Sequence, residues 1–115
     1  MPLSPYRMGW VIAMFDLPVM TDEDRKAATR FRNDLLDHGY FMVQFSVYAR
    51  PCVTYELLEK HIAEVKVFTP AAGNVRLMFI SDQQWARSVT VTGPNYSQGK
   101  RRLEAKMPAQ VEFWE

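Results

Sequence analysis

The chain has 115 residues, 48% of them hydrophobic and 23% charged, and a formal net charge of +1. Length and composition fit one globular domain and exclude collagen, a coiled coil and intrinsic disorder. The near-neutral total excludes a polycation, so any nucleic-acid binding must come from local clusters of charge.

Residues 1–9 hold Pro2 and Pro5 and read as a lead-in. The continuously apolar run Trp10–Phe15, bounded by Gly9 and Pro18, predicts a central strand over 10–16 that is apolar on both faces. The run is too short to span a bilayer, and no small-residue cleavage site follows a charged start, so we read neither a membrane span nor a signal peptide. The strand ends in Asp16. Leu17-Pro18 stops the sheet because proline cannot donate to a ladder.

Thr21 or Asp22 caps a helix over about 22–38, with acidic residues in its first turn complementing the dipole. Ala28, Phe31 and Leu35 recur at helical spacing and form its apolar face, and Gly39 supplies the stop. Phe41–Arg50 is rich in strand formers but long for one strand. Gln44 and Ser46 in its middle predict a kink or two short strands, closed by Pro51. Cys52 is the only cysteine. It excludes an intrachain disulfide and a cysteine-based zinc cluster, and fits a reducing cytoplasm.

Thr54 caps a second helix over about 55–67, with Tyr55, Leu58, Ile62 and Val65 on one face. Thr69–Gly73 is a loop. Val75–Ile80 is an apolar strand interrupted by Arg76, and Ser88–Thr92 alternates as a short extra strand. From Gly93 the composition turns loop-like, and 100–115 is basic and then aromatic. The order predicts an α+β fold: a ferredoxin-like βαββαβ sandwich with an additional C-terminal strand over 1–92, and a partner-contacting tail over 93–115.

Asp16 carries the sharpest chemical signal, a carboxylate directly after six apolar residues. Buried carboxylates are costly unless paired, hydrogen-bonded or metal-bound. It either accepts backbone N–H groups from the turn that follows or serves a site. Mg²⁺ is usually held by one or two carboxylates with waters and substrate phosphates, and a two-fold copy supplies a second carboxylate. Asp82 also ends a strand, but at the opposite end of the sheet, and reads as a turn or cap residue.

His38 falls at a helix end and His61 within a helix beside charged neighbours. Neither has a nucleophile in a triad arrangement, and no HxxxH or HExxH pair suggests zinc. No glycine-rich phosphate loop occurs. Arg25 and Arg32 fall at the margin of the first helix's apolar face, seven residues apart, where they present guanidinium groups at one edge. Lys26 and Arg30 face solvent. A second cluster, Lys100-Arg101-Arg102 with Lys106, sets four basic residues against Glu104. It suits a phosphate contact or a solubilising tail. Phe113 and Trp114 beyond it favour packing on a partner.

Three segments together resemble a known family. They are Phe15-Asp16-Leu17-Pro18, the Arg25-containing helix ending at Gly39, and Val43-Gln44-Phe45-Ser46-Val47-Tyr48. The pair Val75–Ser81 and Ser88–Thr92, joined through Gln83-Gln84-Trp85, also fits. The chain is similar over about 10–92 to the CRISPR-associated protein 2 family, the small subunit of the spacer-acquisition complex.

The resemblance implies a homodimer of ferredoxin-like folds in which the last short strand pairs with the partner's sheet. It implies that Asp16 shares Mg²⁺ or another divalent metal with its two-fold mate. It implies metal-dependent endoribonuclease activity, in some members DNase activity, and a scaffold role. In that role two dimers of the larger integrase are bridged and a DNA duplex is carried. The family usually has Tyr before the Asp, and this chain has Phe15. Single-stranded RNA is a further implied ligand. Two other readings of the same order of elements are an unrelated ferredoxin-like RNA-binding module and a toxin-type ribonuclease. In either case the setting is cytoplasmic, with no membrane partner.

Overall fold

The computed structural model describes residues 8–96. Strand β1 (Gly9–Asp16) leads to helix α1 (Asp22–Asp37), the hairpin β2 (Phe41–Gln44) and β3 (Val47–Cys52), helix α2 (Leu58–Phe68), strand β4 (Asn74–Ser81) and the short helix α3 (Asp82–Ala86). The four strands form one sheet in the order β2-β3-β1-β4, with every neighbouring pair antiparallel. The fold is α+β, as the sequence predicts.

Strand β1 is central because it is apolar on both faces. Val11, Ala13 and Phe15 join Phe31, Leu35 and Val65 in a core beneath α1 and α2. Trp10 and Ile12 face the other way, onto Ala49 and Trp85, with Met14, Phe41, Val43, Val47 and Ile80 around them. Only α3 covers that second face, through Trp85, which stacks on Trp10 with ring centroids 5.0 Å apart. The result is a two-layer plate with one largely helix-free, apolar side.

Helix α1 starts where the capping residues dictate. The Thr21 hydroxyl accepts from the Asp24 N–H at 3.0 Å, and the Asp24 carboxylate accepts from the Thr21 N–H at 3.3 Å. It stops at Gly39, whose φ of +91° is open to glycine at little cost. The Gly39 and Tyr40 N–H groups then donate to the carbonyls of Leu36 and Leu35, satisfying the last turn.

Four expectations are corrected. The strand expected to close at Pro51 runs on to Cys52. Strand β2 has ended by that level, so the missing N–H of Pro51 faces no ladder partner. The second helix opens as a 3₁₀ turn, Tyr55–Leu57, before α2. Its buried positions are His61 and Val65, while Tyr55 is exposed. The segment after Ser81 is a helix rather than a plain connection, because Ser81 and Gln84 form a second capping box.

The fourth correction concerns Ser88–Thr92, which forms no strand. Its Val89 and Val91 are 80% and 90% exposed. An alternating pattern becomes a strand only where a neighbour completes the ladder, and among the described residues this chain offers it none. Among the described residues, no helix is long and apolar enough to cross a membrane.

Candidate functional site

Asp16 closes β1 on the helix-free side and is exposed. The expectation that it caps the following turn is corrected: its carboxylate accepts no hydrogen bond from a described residue. Asn74 lies directly opposite it in the β1–β4 register, and Arg76 faces Met14 one pair further in. On the other flank the Phe15 N–H donates to the Ser46 carbonyl at 3.0 Å, which ties the β2–β3 turn to the residue before Asp16. Ser46 sits in the left-handed region at φ 64°, an uncommon conformation for a non-glycine residue.

Asp82 stands at the far end of the same sheet, where its Oδ1 accepts from Trp10 Nε1 at 3.3 Å. The seven residue steps from Gly9 to Asp16 separate the two carboxylates by about 23 Å. Among the described residues, no group of three or more His, Cys, Asp or Glu stands close enough to hold a metal ion. Asp16 is therefore a single uncommitted oxygen donor, which fits a hard cation such as Mg²⁺ if a second copy and a phosphate complete the set.

Phe15 has a ring that points away from Asp16, into the core, at 5.0 Å from Phe31 and 5.6 Å from Tyr48. A tyrosine hydroxyl there would lie among core rings on the opposite face of the sheet. Phenylalanine at this position removes nothing from the surroundings of Asp16.

The first-helix arginines differ from each other. Arg25 reaches back over the helix start, donating to the carbonyls of Val19 at 3.0 Å and Met20 at 3.4 Å and pairing with Asp22. Its side chain stays 55% exposed. Arg32 is half-buried, with one weak contact to the Thr29 hydroxyl at 3.4 Å. Lys100, Arg101, Arg102 and Lys106 lie outside the described residues. Beside the Asp16 end of the sheet, a hollow of about 230 Å³ is lined by Leu17, Pro18, Ala28 and Pro70 and by the acidic Glu23 and Asp24.

A buried polar group under α2 was not legible from the sequence. Arg50 Nη1 donates to the His38 carbonyl at 2.5 Å, its Nε donates to the Pro51 carbonyl at 3.1 Å, and the guanidinium lies 5.9 Å from the Tyr40 ring. Burial pushes the Tyr40 phenol up to about 12, against the opposing pull of Arg50. Burial also lowers the His61 imidazole, with Arg50 acting in the same direction and Glu64, 3.4 Å from Nδ1, acting against it.

The Cys52 thiol donates to the Thr54 carbonyl at 3.0 Å, and burial raises its pKa. A buried thiol held in its protonated form is a structural residue rather than a nucleophile. The spacing Leu58–His61–Val65 was the available signal for this group, since it puts His61 on the apolar face of α2.

Known proteins share this arrangement. A family model described as CRISPR associated protein Cas2 matches residues 8–88. A CRISPR-associated endoribonuclease Cas2 from Paracidovorax avenae is 44% identical over 112 residues, covering 97% of this chain and 99% of that one. Its counterpart from Parvibaculum lavamentivorans is 42% identical over 105 residues, covering 91% and 99%. The crystal structure of Streptococcus pyogenes Cas2 at pH 6.5 shares the fold, with a TM-score of 0.55 and 21% identity over 73% of this chain and 99% of that one.

Proposed function

The chain belongs to the CRISPR-associated protein Cas2 family, and from that premise we propose that it works as a two-fold pair of ferredoxin-like subunits in spacer acquisition. Membership leaves no room for an unrelated RNA-binding module. The pair forms through the helix-free face of the sheet. Ile12, Met14 and Met78 present apolar surface there, and Met78 is 41% exposed in the single chain. Exposed apolar surface of this extent marks an interaction site.

Asp16 carries the reading of the site. It is an uncommitted carboxylate on the rim of that same face. Two copies related by a two-fold axis bring two such groups to one cation. Mg²⁺, or another divalent metal, would supply Lewis acidity and an acidified water for phosphodiester hydrolysis. The chain's own contribution is to hold the carboxylate at a fixed strand end and to keep Asn74 beside it. Curated relatives carry the name endoribonuclease, and we extend that activity to this chain.

The scaffold role is separate from the chemistry. Arg25, Arg32, Lys100, Arg101 and Arg102 contact phosphates of a DNA duplex without reading bases, and the tail over 93–115 meets the larger integrase. Size exclusion with light scattering tests the assembly. A mass twice the 13.4 kDa chain that moves into a larger complex with integrase and duplex supports the reading, and a monomer that binds neither overturns it. Asp16→Asn separates the roles, abolishing hydrolysis while duplex binding and spacer acquisition persist.

A further inference from the structure

The turn between β2 and β3 carries a feature the fold does not require. Two-residue hairpin turns favour Asn, Gly and Asp, which reach positive φ cheaply or bond their own backbone. This one is Phe45-Ser46. Ser46 occupies the strained φ itself, and Phe45, 54% exposed, has no ring contact among the described residues. Strain at an exposed turn is an observed outlier from which a functional role can be argued.

The turn is pinned. The Ser46 carbonyl accepts the Phe15 N–H at 3.0 Å, and Val47 pairs with Met14. Counting outward from these contacts, Ser46 is level with Phe15 and Phe45 is level with Asp16. An aromatic ring is therefore held beside the carboxylate on one flank, as Asn74 is on the other.

We propose that Phe45 is a stacking platform for an unpaired nucleobase, and that it makes the site at Asp16 selective for single-stranded nucleic acid. The proposal rests on the nuclease reading of Asp16. Every base offers a π-face, so a lone exposed ring gives sequence-tolerant grip on a flexible strand. In a duplex those faces are already stacked on each other, and only phosphates and groove edges remain accessible. A pinned turn adds to the grip because the ring loses little freedom on binding.

The test uses the full-length protein with Mg²⁺ and three probes: an oligouridine of about 15 nucleotides, within the length that single-strand sites cover, a DNA duplex of the same length, and the oligouridine as a hydrolysis substrate. Phe45→Ala should weaken oligouridine binding by about tenfold or more, within the range that loss of one stacked base produces. Phe45→Trp should restore it. Duplex affinity should stay within about twofold in both variants, since phosphate contacts dominate there.

The proposal is overturned if Phe45→Ala binds the oligouridine as the parent does, or loses duplex affinity equally. It is also overturned if the parent shows no affinity for the single strand. A change in molecular mass of Phe45→Ala by light scattering would instead make Phe45 an interface residue and likewise overturn it. Failure of the underlying reading has a different signature, in which Asp16→Asn still hydrolyses the oligouridine at the parent rate.

Discussion

The guanidinium of Arg25 donates to the carbonyl of Val19 at 3.0 Å, so a side chain read as a phosphate contact also clamps the loop that follows the candidate catalytic carboxylate. Charge-assisted hydrogen bonds of this kind contribute about 1.5–3 kcal/mol in general, discounted here to about 1 kcal/mol because the side chain is half exposed. Arg25→Ala should lower the urea midpoint accordingly. Arg25→Lys should recover little, since an ammonium cannot fork between the Val19 and Met20 carbonyls. If Arg25→Ala weakens duplex binding with an unchanged midpoint, Arg25 acts on phosphate alone.

Met78 stands opposite Ile12 on the helix-free face. Placing a carboxylate there leaves the single chain folded, because the site is open, but puts like charges into the proposed contact between copies. Met78→Glu should halve the mass measured by analytical ultracentrifugation and abolish hydrolysis with it. A variant that keeps the double mass locates the contact elsewhere.

Tyr40 is 3% exposed and its hydroxyl has no hydrogen-bond partner among the described residues. An unsatisfied buried hydroxyl costs about 1–3 kcal/mol relative to an apolar group of the same shape. Tyr40→Phe should therefore leave stability unchanged or raise it by about 1 kcal/mol, read as a rise in the thermal midpoint. A fall of that size would mean that the hydroxyl is satisfied in solution.

His61 is 4% exposed and faces Arg50 from β3, with Lys60 and Glu64 on its own helix. Its pKa in the folded chain lies below the ordinary value near 6.5. The unfolded chain thus takes up a proton that the folded chain resists. Stability from this residue is fully present above about pH 6.5 and is lost as pH falls from there through the folded pKa. Urea unfolding from about pH 7.5 down to about pH 5 should show the loss, and His61→Gln should flatten that slope. An equal slope in the variant would assign the acid sensitivity to carboxylates.

Lys100, Arg101 and Arg102 together provide the densest positive charge in the sequence. Replacing all three with Ala should weaken duplex binding and reduce the slope of log affinity against log salt by about 0.9 for each phosphate no longer neutralised. Unchanged affinity and slope would remove the tail from the DNA-binding surface.

Much of this architecture was legible from local pattern. Trp10–Phe15 read as a central strand because both of its faces are apolar, and α1 read correctly because Thr21, Gly39 and the Ala28–Phe31–Leu35 spacing are all local signals. Asp16 was legible for the same reason, being the first charge after an apolar strand. The burial of His61 was missed because its neighbours in sequence are charged while its neighbours in space are Arg50 and Glu64. The Arg25 clamp was invisible because it depends on the path of a loop. Ser88–Thr92 misled because alternation specifies faces, whereas a strand also needs a partner.

Each chain brings one uncommitted carboxylate to the rim of its sheet. A reaction centre assembled from two such halves obeys a different rate law from one carried whole. At low concentration, turnover scales with the square of the protein present, so halving the chain quarters the activity until pairs predominate. Expression level then acts as a threshold, with sparse chains inert and abundant ones active. Specific activity measured across a dilution series carries the stoichiometry of the centre in its exponent.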